Sequence, residues 1–467
     1  MKPKFLLCFA LLALTSVVFI SCKKDEPLID PEAELNAEVV LWMYDAMEKV
    51  YFWNYMVPPY STVKAELDPE AFFNSLIYRD EDRWSWLTDD NASLNADLNG
   101  TPTSIGFSPS FGRYRDSDKV FIIVTFVYPG SPASRAGLKR GDIILKINGQ
   151  ELNIDNYYSL YSQSSFTVDL GYYANGAIFP TSTTLSLSAE IIDSNPVVFD
   201  TVLEIAGHKI AYLVYVEFIS GEKDALLNDF GMLIDHFNNQ GVTELVVDLR
   251  YNPGGDIVAA NYLASCFAPS SVVNQGKVFV KFIYNSLYQT FFTENKEEYG
   301  HYLERKFVGN GHNLNLSRAF FLTSDRSASA SELLMIGLEP YMDVVQIGDT
   351  TYGKYTGAWV IADNNTPPRH NWAIVPIVNK YSNASGFGEF KAGLLPDYLI
   401  EDDLLEAKAF GDTSDPMLSQ ALELITGQIP TVKKSKEHKF DYLPLSSPSQ
   451  NLRTNLFVPM PDSPVLK

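Results

Sequence analysis

Ala319-Phe320-Phe321-Leu322-Thr323, then Ser331 through Leu338, then Val344-Val345-Gln346-Ile347: two short apolar runs flank a longer apolar segment. The runs are strand-length and rich in branched and aromatic residues, and the segment between them is helix-length, so the stretch predicts a β-α-β unit. The same alternation extends upstream. Lys209–Val216 predicts a strand, Ala225–Asn238 an amphipathic helix, Glu244–Leu249 a buried strand and Asp256–Phe267 a helix. From about residue 196 the chain is therefore an α/β layer.

The helix of that unit is preceded by Ser327-Ala328-Ser329-Ala330-Ser331-Glu332, and Lys354 follows in Gly348-Asp349-Thr350-Thr351-Tyr352-Gly353-Lys354. A serine hydroxyl attacks a carbonyl only when a base takes its proton. The usual base is His, but His208, His236, His301, His312, His370 and His438 are scattered, and none lies in an H-E-x-x-H or beside a G-x-S-x-G. With no His/Cys cluster, the expectation is no metal and no cofactor.

Lys is the other candidate base. It must be neutral, so its ammonium must be desolvated, and Tyr352, Tyr355 and Trp359 are available to wrap it. A serine just ahead of a helix lies among N–H groups that face a developing oxyanion. Asn252-Pro253-Gly254-Gly255 offers a second bare stretch of backbone. Each piece also has a plainer reading. Ser329-x-x-Glu332 is a capping box, Lys354 a solvated loop cation, and Asn-Pro-Gly-Gly a turn.

Residues 103–190 change character. Val120–Val124 is a strand, Tyr128–Pro132 a turn, Ala133–Leu138 a short helix closed by Gly137, Ile143–Ile147 a strand, and Asn148-Gly149 a hairpin turn. Ser131-Pro132-Ala133 through Leu138, Gly141-Asp142 and Ile147-Asn148-Gly149 resemble a bacterial PDZ domain. The resemblance implies that Ile105-Gly106-Phe107 is the loop whose N–H groups hold a peptide's terminal carboxylate while the peptide adds as a strand. Pro109, directly downstream, removes a ladder donor from that strand.

In order, the PDZ segment, Val246-Val247-Asp248-Leu249-Arg250-Tyr251-Asn252-Pro253-Gly254-Gly255, Ser327–Glu332, Thr351-Tyr352-Gly353-Lys354 and Gly393-Leu394-Leu395-Pro396-Asp397 resemble the carboxyl-terminal processing peptidases, or tail-specific proteases. The resemblance implies a ClpP/crotonase-like peptidase domain with a Ser-Lys dyad. It places the nucleophile on Ser329, the base on Lys354, and the oxyanion donors on the amides of Ala330 and of Gly254 or Gly255. One position departs from the family: the Gln often found four residues after the Lys is Ala358. Lys354 must then be held otherwise, by Thr356 or a backbone carbonyl, and the rival reading is a peptide-binding lipoprotein of the same fold with weak or no turnover.

The first residues read as a targeting segment. Lys2 and Lys4 precede an almost wholly apolar Phe5–Ile20, and Phe19-Ile20-Ser21-Cys22 resembles a bacterial lipobox, with Phe19 where Leu is usual. Cys22 is then the acylated first residue, and Lys23-Lys24-Asp25-Glu26 a solvated tether. The expected location is the bacterial cell envelope, on the periplasmic side of the outer membrane or at the cell surface. Of three cysteines, Cys8 leaves with the signal and Cys22 carries lipid. Cys266 remains as a buried apolar group without a disulfide partner in the mature chain.

Residues 33–98 predict helices. Val40, Tyr44, Met47 and Tyr51 share one face, and Asp68-Pro69-Glu70 is a helix start. The 467-residue length calls for two or three domains. The expected division is 1–21 signal, 22–98 tether and helical segment, 99–193 PDZ, 194–430 peptidase and 431–467 a Pro- and Ser-rich extended tail. A formal charge of −21 argues against a nucleic-acid partner, whose phosphates need clustered Lys and Arg. The partners expected are polypeptides.

Overall fold

The computed structural model describes residues 31–428, 442–445 and 456–461. Cys22, the expected signal segment and most of the tail lie outside the described residues.

The N-terminal part is helical: α1 (Pro31–Val50), α2 (Pro69–Leu76) and α3 (Asn91–Leu98). Asp68 caps α2, its carboxylate accepting the Ala71 N–H at 2.8 Å with Pro69 in the first turn. Val40, Tyr44, Met47 and Tyr51 are all buried, as their spacing predicts. Trp86–Thr88 departs from the helical expectation. It is a strand paired antiparallel with Ala373–Val375, nearly three hundred residues away, and this distant pairing is invisible to local pattern. Val39, Met43, Phe72 and Phe73 share one apolar core with Leu263, Leu333, Leu334 and Val378, so these helices are built into the α/β part.

The PDZ part holds β1 (Phe107–Tyr114), β2 (Val120–Val127), α4 (Pro132–Ala136), β3 (Ile143–Ile147), β4 (Ser165–Ala174) and β5 (Ala177–Ser188). Its strands run β1-β2-β3-β4-β5, all neighbours antiparallel. Ser131 caps α4, and Asn148 and Gly149 both take positive φ in the hairpin turn. Pro109 sits at a bulge in β1, where a missing N–H is tolerated.

The α/β part contains β6 (Val197–Ile205), β7 (His208–Tyr215), α5 (Ala225–Gln240), β8 (Glu244–Asp248), β9 (Gly255–Asp256), α6 (Ile257–Phe267), β10 (Val278–Tyr284), β11 (Glu304–Lys306), β12 (Arg318–Thr323), α7 (Ala330–Leu338), β13 (Asp343–Gly348), β14 (Thr356–Ala358), β15 (Ile377–Asn383), β16 (Tyr398–Leu399) and α8 (Pro416–Thr426). The central sheet runs β6-β7-β8-β12-β13-β16, parallel from β7 onward. Its strands are near-continuous apolar runs because helices cover both faces. Two tail strands complete the molecule, β17 (Tyr442–Leu445) and β18 (Leu456–Phe457). A second sheet runs β9-β18-β14-β15-β10-β11, and α7 packs between it and the central sheet. No helix among the described residues is long and apolar enough to cross a membrane.

Candidate active site

The loop after β8 and the loop before α7 are stitched together by serines. Ser327 Oγ donates to Leu249 O at 2.7 Å, Ser331 Oγ to Asn252 O at 3.1 Å, and Ser324 Oγ to Arg250 O. Ser329 differs from all three. Its hydroxyl is buried and has no hydrogen-bond partner among the described residues. It precedes Ala330, the first residue of α7, at φ 59° and ψ −108°. A non-glycine residue held there costs on the order of 1–3 kcal/mol, a strain that recurs where a side chain must be aimed.

The loop after β8 is anchored by charge. The Arg250 guanidinium, 2% exposed, meets Asp248 at 2.7 Å, Asp402 at 2.9 Å and Asp415 at 3.0 Å. Tyr212 OH donates to Asp248 at 2.7 Å. Gly254 lies directly behind the serine, where a Cβ would come within 2.7 Å of the Ser329 Cβ. Its N–H, however, donates to Asn252 Oδ1 at 2.9 Å and is committed within the loop. The Ala330 N–H, at the first position of α7, has no acceptor within the helix by geometry alone.

Lys354 is fully buried just ahead of β14. Burial pulls its ammonium well below the usual lysine range, against the opposing pull of the Asp82 and Glu332 carboxylates. Two groups tie its backbone to that of Ser329. Glu332 Oε2 accepts the Ser329 N–H at 2.7 Å and the Lys354 N–H at 2.9 Å. Tyr381 OH reaches Ser329 O at 3.0 Å and Lys354 O at 2.5 Å. The two backbones are thus held within two hydrogen-bond lengths of each other.

Glu332 Oε1 also accepts from Thr351 Oγ1 at 2.5 Å and from the Gly353 N–H at 2.6 Å. Burial pushes its carboxyl up to about 7, although these donors oppose the shift. Thr356 Oγ1 has no hydrogen-bond partner among the described residues, so the expectation that it holds Lys354 fails.

The closing Gly393–Asp397 motif has a mechanical role here. Gly393 at φ 92° lies against Thr351, where a Cβ would come within 2.1 Å of Thr351 O. Leu394 exchanges hydrogen bonds with Thr351, and Asp397 Oδ2 accepts the Gln346 N–H at 2.9 Å. The N-terminal segment closes the other side. Arg83 donates to Tyr352 O at 3.0 Å and Lys391 O at 3.3 Å, with its guanidinium over the Tyr352 ring. Asp82 is buried and accepts from Tyr51 OH at 2.8 Å. Sequence reading missed Asp82, Arg83 and Tyr381, because no local pattern sets them apart from ordinary core and surface residues.

The PDZ part touches both loops. Arg326 Nη2 donates to Ser110 Oγ of β1 at 2.6 Å, and Arg140 Nη1 donates to Tyr251 OH at 2.5 Å. The Ile105-Gly106-Phe107 loop is more closed than the resemblance implied. The Gly106 N–H donates to Ser104 Oγ at 3.0 Å, and the Ile105 and Phe107 side chains lie in the PDZ core. Cys266 is buried in α6, its thiol pushed up to about 12 by burial, which leaves it an inert apolar group.

The burial of Lys354 makes two predictions. If Lys354 is the base, the rate at saturating substrate rises with pH through one apparent pKa well below about 10.4. A flat profile from mildly acid to mildly alkaline pH, with chemistry rate-limiting, would remove Lys354 from that role. The folded state also binds fewer protons at Lys354 than the unfolded chain does between the lowered pKa and about 10.4. Stability is therefore lost as pH falls through that window. Lys354→Met is accordingly expected to raise the melting temperature at neutral pH, as thermal unfolding would report.

Comparison with known proteins agrees with this architecture. Residues 209–400 match Peptidase family S41, residues 38–86 the Peptidase S41 N-terminal domain, and residues 123–169 a PDZ domain. The carboxyl-terminal-processing protease of Synechocystis sp. is 24% identical over 312 residues, 66% of this chain and 65% of that protein. The carboxy-terminal processing protease CtpA of Bacillus subtilis is 25% identical over 259 residues, 54% of this chain and 48% of that protein. The chain thus spans between about half and two thirds of the length of these relatives. A crystal structure of a putative S41 protease from Bacteroides fragilis is 26% identical, with a TM-score of 0.69 over 83% of this chain and 97% of that one. Residues 209–400 therefore match the peptidase domain of family S41, behind matches to that family's N-terminal domain and to a PDZ domain.

Proposed function

We propose that the protein is a serine endopeptidase that cleaves extended or C-terminal polypeptide segments with a Ser329-Lys354 dyad. One observation carries this reading. Of the serines on the two loops, Ser329 alone keeps its hydroxyl without a partner among the described residues, and its backbone is clamped to that of a buried lysine.

Ser329 Oγ attacks the scissile carbonyl and its proton passes to the Lys354 Nζ. The amides of Ala330 and Gly255 face the oxyanion. Gly254 is the weaker donor because its N–H is already taken by Asn252. The intermediate collapses by expelling the amine, which takes the proton from Lys354. Water, deprotonated by Lys354, then attacks the acyl carbonyl, and Lys354 returns that proton to the departing Ser329 Oγ as the acid is released. Glu332 and Tyr381 hold the backbones of Ser329 and Lys354 and act as positioning residues.

The test is to incubate residues 23–467 with an unfolded polypeptide beside Ser329→Ala and resolve products by mass spectrometry. Fragments are expected from the first protein only, and an intact substrate in both would defeat the reading.

The domain division given above and the Cys22 anchor belong to the same proposal. Cys22→Ser is expected to abolish acylation and to release the protein from membranes or stall it as a precursor. Unchanged membrane partition with normal processing would sink the anchor.

A further inference from the structure

The described tail residues enter two strand-accepting edges. β17 adds antiparallel to β1 of the PDZ domain, with Tyr442 opposite Tyr114, Leu443 opposite Arg113, Pro444 opposite Gly112 and Leu445 opposite Phe111. The site is shaped for it. A Cβ on Gly112 would come within 2.9 Å of the Tyr442 ring, which packs on Phe121 at 5.4 Å between centroids.

β18 lies parallel between β9 and β14. Leu456 is opposite both Gly255 and Gly357, and Phe457 is opposite both Asp256 and Ala358. The Val458 N–H continues the ladder to Ala358 O at 3.1 Å, and Val458 is buried against Gly357.

This second edge is the cleft itself. β9 follows Gly254, which backs the Ser329 Cβ, and β14 starts two residues after Lys354. A polypeptide whose carbonyl is to reach Ser329 has to run between these strands, and its backbone groups have to pair with theirs.

We propose that the C-terminal tail is an intramolecular substrate mimic. It occupies the PDZ edge and the cleft between β9 and β14 at once, so an incoming polypeptide must displace it. The proposal rests on the peptidase reading for the meaning of the cleft, but not for the docking itself. Tethering makes the second contact intramolecular, at an effective concentration on the order of millimolar, so short strands with few side-chain anchors suffice.

The register also says how the PDZ edge is used. The described pairing ends with Leu445 opposite Phe111, two residues short of the Pro109 bulge and further still from Ile105-Gly106-Phe107. Among the described residues that edge therefore holds an internal segment of the chain, in keeping with the Gly106 N–H being engaged by Ser104.

The experiment compares the full chain with a form ending at Gln428, just past the Gly427 cap of α8, and adds back a synthetic peptide of residues 440–467. The shortened form is expected to cleave an unfolded polypeptide with kcat/KM raised roughly tenfold or more. The labelled peptide is expected to bind the shortened form by fluorescence anisotropy, to bind the full chain more weakly, and to inhibit the shortened form competitively. Val458→Lys in the full chain provides the same opening if the shortened form does not fold, since it puts a charge into the buried end of β18.

A folded shortened form with unchanged or lower kcat/KM, or one that the peptide activates, overturns the proposal. So does a peptide that fails to bind. Anisotropy in a Ser329→Ala background separates the two readings. Binding there, with no turnover by any form, supports tail docking and defeats the peptidase assignment alone.

Discussion

Ser329→Ala is expected to lower turnover by at least about a thousandfold, because nucleophile and base act as a unit and losing either removes most of the acceleration. Lys354→Ala is expected to match it, and the double variant to be no worse than either. The neighbouring serines should behave in the opposite way. Ser327 and Ser331 donate to Leu249 O and Asn252 O in the interior, so Ser327→Ala and Ser331→Ala each remove one of two donors from a buried carbonyl that keeps a backbone N–H, from Asn252 and Ala328 respectively. That costs about 0.5–1.5 kcal/mol of stability, with substantial activity retained. Ser329→Ala instead deletes a buried hydroxyl that has no partner among the described residues, and its melting temperature is expected to hold or rise. Initial rates and thermal melts on the three variants decide the matter. If Ser329→Ala keeps activity while Ser327→Ala or Ser331→Ala abolishes it, the nucleophile has been placed on the wrong residue.

Arg250→Met is expected to destabilise the fold by about 3–5 kcal/mol, the usual result of removing one partner from a buried ionic cluster. Asp248, Asp402 and Asp415 converge on this one guanidinium, and among the described residues only Asp402 has another cation near, Arg140 at 3.6 Å. The effect should reach the cleft, since the same loop carries Gly254 and Gly255 and its carbonyls hold Ser324, Ser327 and Ser331. Arg250→Lys is expected to restore little, because an ammonium cannot offer a planar fork to three carboxylates. Urea unfolding of the three proteins gives the comparison. A Met variant as stable as the parent would mean that the cluster serves specificity rather than stability.

The relation between sequence and structure differs from place to place in this chain. Elements with strong local signals fall where pattern puts them. Asp68-Pro69 begins α2, Asn148-Gly149 turns a hairpin, and Ser331–Leu338 lies within α7. Trp86–Thr88 was missed because its strand pairing comes from residues 373–375. The pairing of Ile105-Gly106-Phe107 with a terminal carboxylate was an expectation from resemblance. The competing acceptor, Ser104 Oγ, sits one residue outside the motif that suggested it. The tail was legible only as extended, since Pro and Ser content says how a chain cannot fold and nothing about which edge it will join.

What the sequence determined by itself is the order of parts and the choice of Ser329 and Lys354 as the proposed reactive pair. Apolar periodicity, caps and turn dipeptides act over a few residues, and Ser329 and Lys354 stand out by the company they keep within ten positions. What only the tertiary structure decided is which groups those side chains face. Asp82 and Arg83 reach the Lys354 loop from the N-terminal segment, Tyr381 bridges two carbonyls from β15, and β18 enters the cleft from the far end of the chain. Burial, and with it the lowered pKa of Lys354, is set by contacts that no local spacing encodes. Desolvation depends on everything packed around an atom, however distant in sequence.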